Sequence, residues 1–334
     1  MPVPHRRRLR RAAVAAAALA AAVLTGAPAA TAQTIGFAQV GSESEWRTTF
    51  SKDMVREAEK RRVTLILADA RQSAERQVAT VREFIAARVD AIVIAPVVVT
   101  GWDAVLAEAK AAGIPVFIAD RAVESDPSLF VARIAANFNL EGKLAGAWLA
   151  QASRGRCTVL ELQGTPGSAP ALERKRGFES VLAQFPGMKI VASQTGNFTR
   201  EGGKAVMEKM IAAGLTRNLC AVFAHNDDMM IGAIEAMRAQ GLEPGRAPLT
   251  VSVDAVTEAF RAMALGHLNA TVELKAEIGA YIFDVVLGYL AGRRDYPKWV
   301  LIPSDIHAGP NPSPRAGPDT ADPASPKKAS LTVP

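Results

Sequence analysis

Histidine and cysteine are scarce, with four histidines and two cysteines in 334 residues. His5, His225, His267 and His307 lie far apart and none has a spaced partner, so the clustered ligands of a zinc site are not available. His225, beside Asn226, reads as a strand-end residue making a local hydrogen bond. No G-x-S-x-G elbow occurs, and no Ser, His and Asp fall together at the ends of apolar runs, which argues against a nucleophilic hydrolase. Neither G-x-G-x-x-G nor G-x-x-x-x-G-K-[ST] is found, so no dinucleotide or phosphate-cradling loop is expected. A glycosidase pair could be drawn from Glu43 with Asp120 or Asp254, but any pocket holding three carboxylates offers such a pair. The expectation is a protein that is not an enzyme, with no metal and no cofactor.

Long apolar runs are missing from the body of the chain, where nothing approaches the roughly 18 unbroken residues of a membrane-spanning helix. The first 32 residues, "MPVPHRRRLRRAAVAAAALAAAVLTGAPAATA", combine a basic start, an alanine-rich middle and a small-residue ending at Ala30-Thr31-Ala32. That is the pattern of an export signal, cut between Ala32 and Gln33, which places the mature chain in the periplasm. The adjacent arginines fit either the twin-arginine or the general secretory route. Five of them (Arg6, Arg7, Arg8, Arg10, Arg11) leave with the signal, reducing the net charge from +6 to +1. The basic excess that would invite nucleic acid goes with them.

Residues 309–334 are rich in proline and almost devoid of large apolar side chains, the composition of a disordered tail. Between signal and tail stand about 275 residues, enough for one large or two medium domains. Cys157 and Cys220 each open an apolar run, "CTVLELQG" and "CAVFAHND". If those runs are neighbouring parallel strands in an oxidising compartment the sulfurs can pair, and we expect a disulfide; two buried free thiols are the alternative.

Apolar runs starting at Thr34, Thr64, Asp90, Ile114 and Phe130 recur every 25 to 30 residues with helical patterns between them. This is the rhythm of βα units in a parallel sheet. It restarts at Cys157, Lys189, Cys220 and Leu249, which predicts two doubly wound α/β lobes joined by a hinge. Past the second lobe, "NATVEL", the helix "AEIGAYIFDVVLGYLAG" and "KWVLIPSD" suit a chain that returns once to each lobe. The division this suggests is 33–137 plus 270–296 for the first lobe and 138–269 plus 297–308 for the second. Trp46, Phe50, Met54 and Ala58 recur every four residues and mark a helix packed on a sheet. By period alone Trp46 is as easily core as a ligand contact, and Ser42-x-x-Glu45 reads as a capping box.

Polar residues collect at the carboxyl ends of these strands, where open parallel sheets bind ligands. They are Ser42, Glu43, Trp46 and Arg47; Asp69 and Gln72; Asp120 and Arg121; Asn137; Gln163, Phe198, Asn226, Asp227, Asp228 and Asp254; and Glu273. Carboxylates, amides and guanidinium groups with interspersed rings suit a neutral polyhydroxyl ligand, because each hydroxyl both donates and accepts.

The segments "GFAQVGSESEWR", "VDAIVIAPVVVTGW", "IPVFIADR", "LEGKLAG", "VLELQGTPGS", "RKRGF", "AHNDDMMIGAIEA" and "ATVEL" resemble, in order, the periplasmic sugar-binding proteins of ABC importers of the ribose-binding type (periplasmic binding protein type I), in their galactofuranose-binding branch. The resemblance covers Thr34 to about Asp305. It implies capture of a monosaccharide, with galactofuranose first among candidates, by a monomer that delivers it to an ABC permease in the inner membrane. It further implies a cleft lined by Glu43, Trp46, Arg47, Gln72, Asp120, Arg121 and Asn137 from one side. From the other it brings Arg174 of the R-x-x-G-F pattern, Phe198, Asn226, Asp254 and Glu273. Two places depart from the family: Asn137-Phe138 stands where an Asp-Asn pair is usual, and Asp254-Ala255 where Asp-Gly is usual. The same closed form could instead feed a sensor kinase or chemoreceptor. The repressor class of this fold needs an N-terminal helix-turn-helix, and the signal sequence occupies that place.

Overall fold

The structure, a computed structural model, describes residues 33–309. The expected signal sequence and proline-rich tail lie outside the described residues. In chain order the elements are β1 (Thr34–Gln39), α1 (Glu45–Arg61), β2 (Thr64–Asp69), α2 (Ala74–Ala86), β3 (Ala91–Ile94), α3 (Asp103–Ala111), β4 (Val116–Ala119), β5 (Arg133–Ala135) and α4 (Phe138–Ala152). There follow β6 (Arg156–Gln163), α5 (Ala169–Leu182), β7 (Gly187–Thr195), α6 (Arg200–Ala212), β8 (Ala221–Ala224), α7 (Asp227–Ala239), β9 (Leu249–Asp254), α8 (Thr257–Ala264), β10 (Ala270–Glu273), α9 (Gly279–Leu290), β11 (Trp299–Leu301) and β12 (Ile306–Ala308).

Two six-stranded sheets result, ordered β11-β5-β4-β3-β1-β2 and β12-β10-β9-β8-β6-β7. All pairings are parallel except β10 with β12. The central strands β3 (AIVI), β4 (VFIA) and β8 (AVFA) are buried at every position, because helices cover both sheet faces. Edge strands β2 and β7 are largely exposed. Helices start where the sequence supplies a side-chain acceptor: Ser44, Ser73, Asn137, Ser168, Thr199 and Asn226 each accept from the amide three residues on. For α1 the cap is Ser44, bonded to the Arg47 amide at 3.1 Å, and not the expected Ser42.

The doubly wound two-lobe architecture agrees with the sequence reading, but its last strands are exchanged. We expected residues 270–296 in the first lobe, whereas β10 lies beside β9 in the second, with Ala270 to Glu273 in register with Val251 to Asp254. Residues 297–308 were expected in the second lobe, where β12 does pair with β10, whereas β11 joins β5 of the first. A strand's pattern announces that it is a strand; its partner is set by tertiary contacts, here the Arg133 guanidinium over the Trp299 ring (3.9 Å) and the bond from Trp299 Nε1 to the Ala135 carbonyl (2.8 Å). Helix α9 does pack on α1 of the first lobe, its Gly279 amide donating to Asp53 at 2.7 Å. The chain thus crosses between lobes three times, at 136–137, 274–278 and 302–305.

Cys157 and Cys220 form the expected disulfide, at the amino ends of the neighbouring strands β6 and β8. Within the second lobe α4 and α5 cross where glycines permit it. A Cβ on Gly142 would come within 2.1 Å of the Arg174 carbonyl, and one on Gly177 within 2.0 Å of the Asn139 carbonyl. That close approach fixes the height at which Arg174 leaves its helix.

Candidate functional site

The carboxyl ends of both sheets face one another across a small, nearly closed cavity lined by Glu43, Ser44, Trp46, Arg47, Asp120, Arg121, Phe138, Pro170, Arg174, Phe198, Asn226, Asp254 and Leu274. From the first lobe, the turn after β1 delivers Glu43, the first turn of α1 Trp46 and Arg47, and the end of β4 Asp120 and Arg121. Asp120 occupies the left-handed region (φ 59°), which turns its carboxylate toward the helix. Arg47 Nη2 meets Asp120 at 2.9 Å and its Nε lies 3.4 Å from Glu43, while Arg121 Nη2 is 3.3 Å from the same Glu43 oxygen. A further N–H of Arg121 donates to the Val97 carbonyl at 3.2 Å.

From the second lobe, Arg174 donates through Nε to Glu141 (2.9 Å) and through Nη1 to the His225 carbonyl (2.5 Å). Its third edge, Nη2, is 3.6 Å from Asp254, beyond a hydrogen bond. Asn226 caps α7 through its oxygen and donates to the Phe198 carbonyl at 3.1 Å. Phe198 is itself left-handed (φ 63°), and its ring occupies the space of the missing side chain of Gly164, whose Cβ would stand 1.9 Å from it. Only glycine fits there.

Burial shapes the charges. It opposes the charge on Arg47, yet the carboxylates of Asp120 and Glu43 prevail and hold its pKa above the ordinary value. Burial, helped by the Arg47 charge, lowers the pKa of Arg121 to about 10, so it stays protonated at neutral pH. Asp254 is raised well above the ordinary carboxylate range by burial, with Arg174 pulling the other way and Asp227 and Asp228 adding to the rise. Each guanidinium lies near a ring: Arg47 is 4.7 Å from the Trp46 ring centroid, Arg121 5.4 Å from Phe198 and Arg174 5.3 Å from Phe138. The second of these pairs spans the two lobes.

Nine of the residues singled out from sequence meet at this cavity: Glu43, Trp46, Arg47, Asp120, Arg121, Arg174, Phe198, Asn226 and Asp254. Trp46 is both things at once. It is 3% exposed and packs on Phe50, and its indole N–H donates to the Leu274 carbonyl at 2.6 Å, so its ring is core that also forms the cavity wall. Three residues stand elsewhere. Gln72 accepts from Thr165 Oγ1 of the opposite lobe at 3.2 Å, outside the cavity lining. Asn137 spends its oxygen on capping α4 and lines a separate cavity with Arg133 and Trp299. Glu273 borders a neighbouring pocket and lies 3.3 Å from His307.

Ser44, Phe138, Pro170 and Leu274 line the cavity without having been expected. Phe138 follows a strand end at a helix start, which is the signal that could have found it; Leu274 has none, since its place follows from the second lobe crossing. Among the described residues no group of three or more His, Cys, Asp and Glu could hold a metal ion.

The arrangement leaves specific valences open. Seven buried side-chain polar atoms among the described residues have no hydrogen-bond partner, and four of them, Glu43 Oε2, Asp120 Oδ1, Arg121 Nε and Arg174 Nη2, belong to this cavity. Two accept and two donate.

Comparison with known proteins agrees with this geometry. The family model of the periplasmic binding protein domain matches residues 35–294. The galactofuranose-binding protein YtfQ of Escherichia coli (strain K12) is 45% identical over 301 residues, spanning 89% of this chain and 92% of that protein. The periplasmic binding protein component of the arabinose ABC transporter from Shewanella sp. ANA-3, solved with α- and β-L-arabinofuranose, superposes with a TM-score of 0.81 at 50% identity, covering 83% of this chain and 92% of that one. A Mycobacterium smegmatis structure in complex with β-D-fucofuranose gives 0.80 at 43% identity, over 83% and 91%. The family match spans both lobes and the first two crossings between them, and the chain belongs to the periplasmic binding protein family.

Proposed function

We propose that this protein captures a monosaccharide in its five-membered-ring form between the two lobes, in the periplasm, and hands it as a monomer to an ABC permease of the inner membrane. It catalyses no reaction. The observation that carries the reading is the set of four unpartnered buried polar atoms, two donors and two acceptors, on residues that line the cavity together with three aromatic side chains. Leaving such atoms unmatched costs about 1–3 kcal/mol each, and hydroxyl groups, which donate and accept, answer both kinds. Each guanidinium of the cavity already has a carboxylate partner, Arg47 with Asp120 and Glu43, Arg121 with Glu43 and Arg174 with Glu141, so a neutral ligand suits it better than an ion. Trp46, Phe138 and Phe198 offer apolar faces to the C–H side of a sugar ring. Galactofuranose, arabinofuranose and fucofuranose, the sugars named with the relatives, share the five-membered ring and differ in the exocyclic carbons.

A thermal-shift series tests this with L-arabinose, D-galactose and D-fucose, whose solutions contain the furanose form, against methyl β-D-galactopyranoside, which is locked in the six-membered ring. At least one free sugar raises the melting temperature, as about 2.7 kcal/mol of stabilisation at 100 times Kd requires, and the pyranoside does not. No shift with any free sugar removes the reading; an equal shift with the pyranoside removes its furanose part.

The family departure at Asp254-Ala255 yields a second expectation. Ala255 adopts φ 58° and Asp254 φ 123°, conformations that L-residues rarely adopt. Ala255→Gly relieves the first and stabilises the ligand-free protein by about 0.5–1 kcal/mol in urea titration. A loss of stability would show that the surroundings of Ala255 have adapted to its methyl group.

A further inference from the structure

Arg174 is held in place by a carboxylate that the sequence reading passed over. Glu141, in the first turn of α4, is wholly buried and divides its two oxygens between two different parts of the molecule. Oε2 accepts from Arg174 Nε at 2.9 Å, and Oε1 accepts from Ser304 Oγ at 3.1 Å. Arg174 lines the cavity, whereas Ser304 lies on the third crossing between the lobes, 302–305, a segment whose backbone must change when the lobes move. Glu141 itself sits four residues after the first crossing. Arg174 spends Nε on Glu141 and Nη1 on the His225 carbonyl, so the direction of its free Nη2 is fixed by these two bonds.

We infer that Glu141 is a positioning residue that couples the hinge to the ligand: the Ser304 bond made by the third crossing sets the Glu141 carboxylate, and that carboxylate aims Arg174 at the sugar. The coupling rests on the sugar-cleft reading above and adds to it the route by which cleft and hinge sense one another. Opening that breaks the Ser304 bond frees the carboxylate to rotate, and Arg174 loses its aim, so the sugar contact and the closed hinge support each other.

Ser304→Ala tests this without removing any group from the cavity. Affinity for L-arabinose, D-galactose and D-fucose is measured by calorimetry in the wild type, Ser304→Ala, Ser304→Thr, Arg174→Lys and the Ser304→Ala/Arg174→Lys double variant, with the melting temperature of each ligand-free protein alongside. Ser304→Ala weakens binding about fivefold, the worth of one ordinary hydrogen bond, with the ligand-free melting temperature unchanged. Ser304→Thr, which keeps the hydroxyl, restores affinity to near wild type. In the Arg174→Lys background Ser304→Ala adds no further loss, because its effect runs through the arginine. Wild-type affinity in Ser304→Ala, or the same fivefold loss on top of Arg174→Lys, overturns the coupling while leaving the cleft intact. A wild type that binds none of L-arabinose, D-galactose and D-fucose overturns the cleft reading and the coupling with it, and an Arg174→Lys variant that binds as well as wild type overturns the coupling.

Discussion

Arg174→Lys loses at least about 100-fold in sugar affinity and stays folded. The guanidinium makes use of all three of its edges: Nε on Glu141, Nη1 on the His225 carbonyl and Nη2 open to the cavity. A lysine ammonium keeps the charge, so Glu141 is not left as a buried unpaired anion, but one nitrogen cannot point in those three fixed directions. A contact between a charged group and a hydroxyl contributes about 1.5–3 kcal/mol, and its loss together with a misplaced donor amounts to roughly two orders of magnitude in Kd. Asp120→Asn gives a loss of the same order for a different reason. Its Oδ2 is engaged by Arg47 at 2.9 Å, so the amide oxygen takes that position and the amide presents N–H where Oδ1 is open to accept. Calorimetry against the sugar found by thermal shift decides. Affinity within threefold of wild type in both variants would take these residues out of the binding site. Truncation of Arg174 to alanine would be a poorer experiment, since it strands Glu141 in the interior and costs about 3–5 kcal/mol of stability.

Removing the Cys157–Cys220 bridge lowers the stability of the protein by about 4 kcal/mol and leaves sugar affinity unchanged. The bridge closes a sequence separation of 63 residues, and the loop-entropy account assigns about 4 kcal/mol to a loop of that length. The bridge lies at the amino ends of β6 and β8, whereas the cavity is at the carboxyl ends of the same sheet, so the two effects are separable. Urea unfolding of the Cys157→Ser/Cys220→Ser protein reports the first and calorimetry the second. A loss under 1 kcal/mol would mean that the strand pairing of β6 with β8 persists in the unfolded chain and already restricts it.

The sequence made the strand ends readable because parallel strands buried on both faces appear as short apolar runs, and whatever polar residue follows each run is at the ligand edge by construction. Glu43, Asp120 and Asp254 were found that way. The same rule over-reached at Asn137 and Glu273, where the strand-end position is real but the side chain is used locally, for a helix cap in one case and beside His307 in the other. Gln72 faces the opposite lobe and meets Thr165, a pairing between residues 93 positions apart that no local pattern encodes. The exchange of β10 and β11 between lobes has the same origin. A four-residue or three-residue strand fits either sheet edge by pattern, and only the register against Val251 to Asp254, or the stacking of Trp299 on Arg133, chooses. Glu141 was invisible for the opposite reason, since a glutamate in the first turn of a helix looks like an ordinary complement to the helix dipole.

Among the described residues, hydrogen bonds that join the lobes directly include the Glu45 amide to Asp228 at 2.8 Å, Thr165 Oγ1 to Gln72 at 3.2 Å and the Val99 amide to the Gly167 carbonyl at 3.0 Å, beside the Arg121–Phe198 contact. None passes through a sugar. At about 1 kcal/mol net apiece they favour closure whether or not the cavity is occupied. Any change that strengthens these contacts tightens sugar binding, because less of the closing work falls to the ligand, and it also raises the share of empty protein in the closed shape. The strength of such contacts between the lobes thus sets how much of the empty protein stands closed.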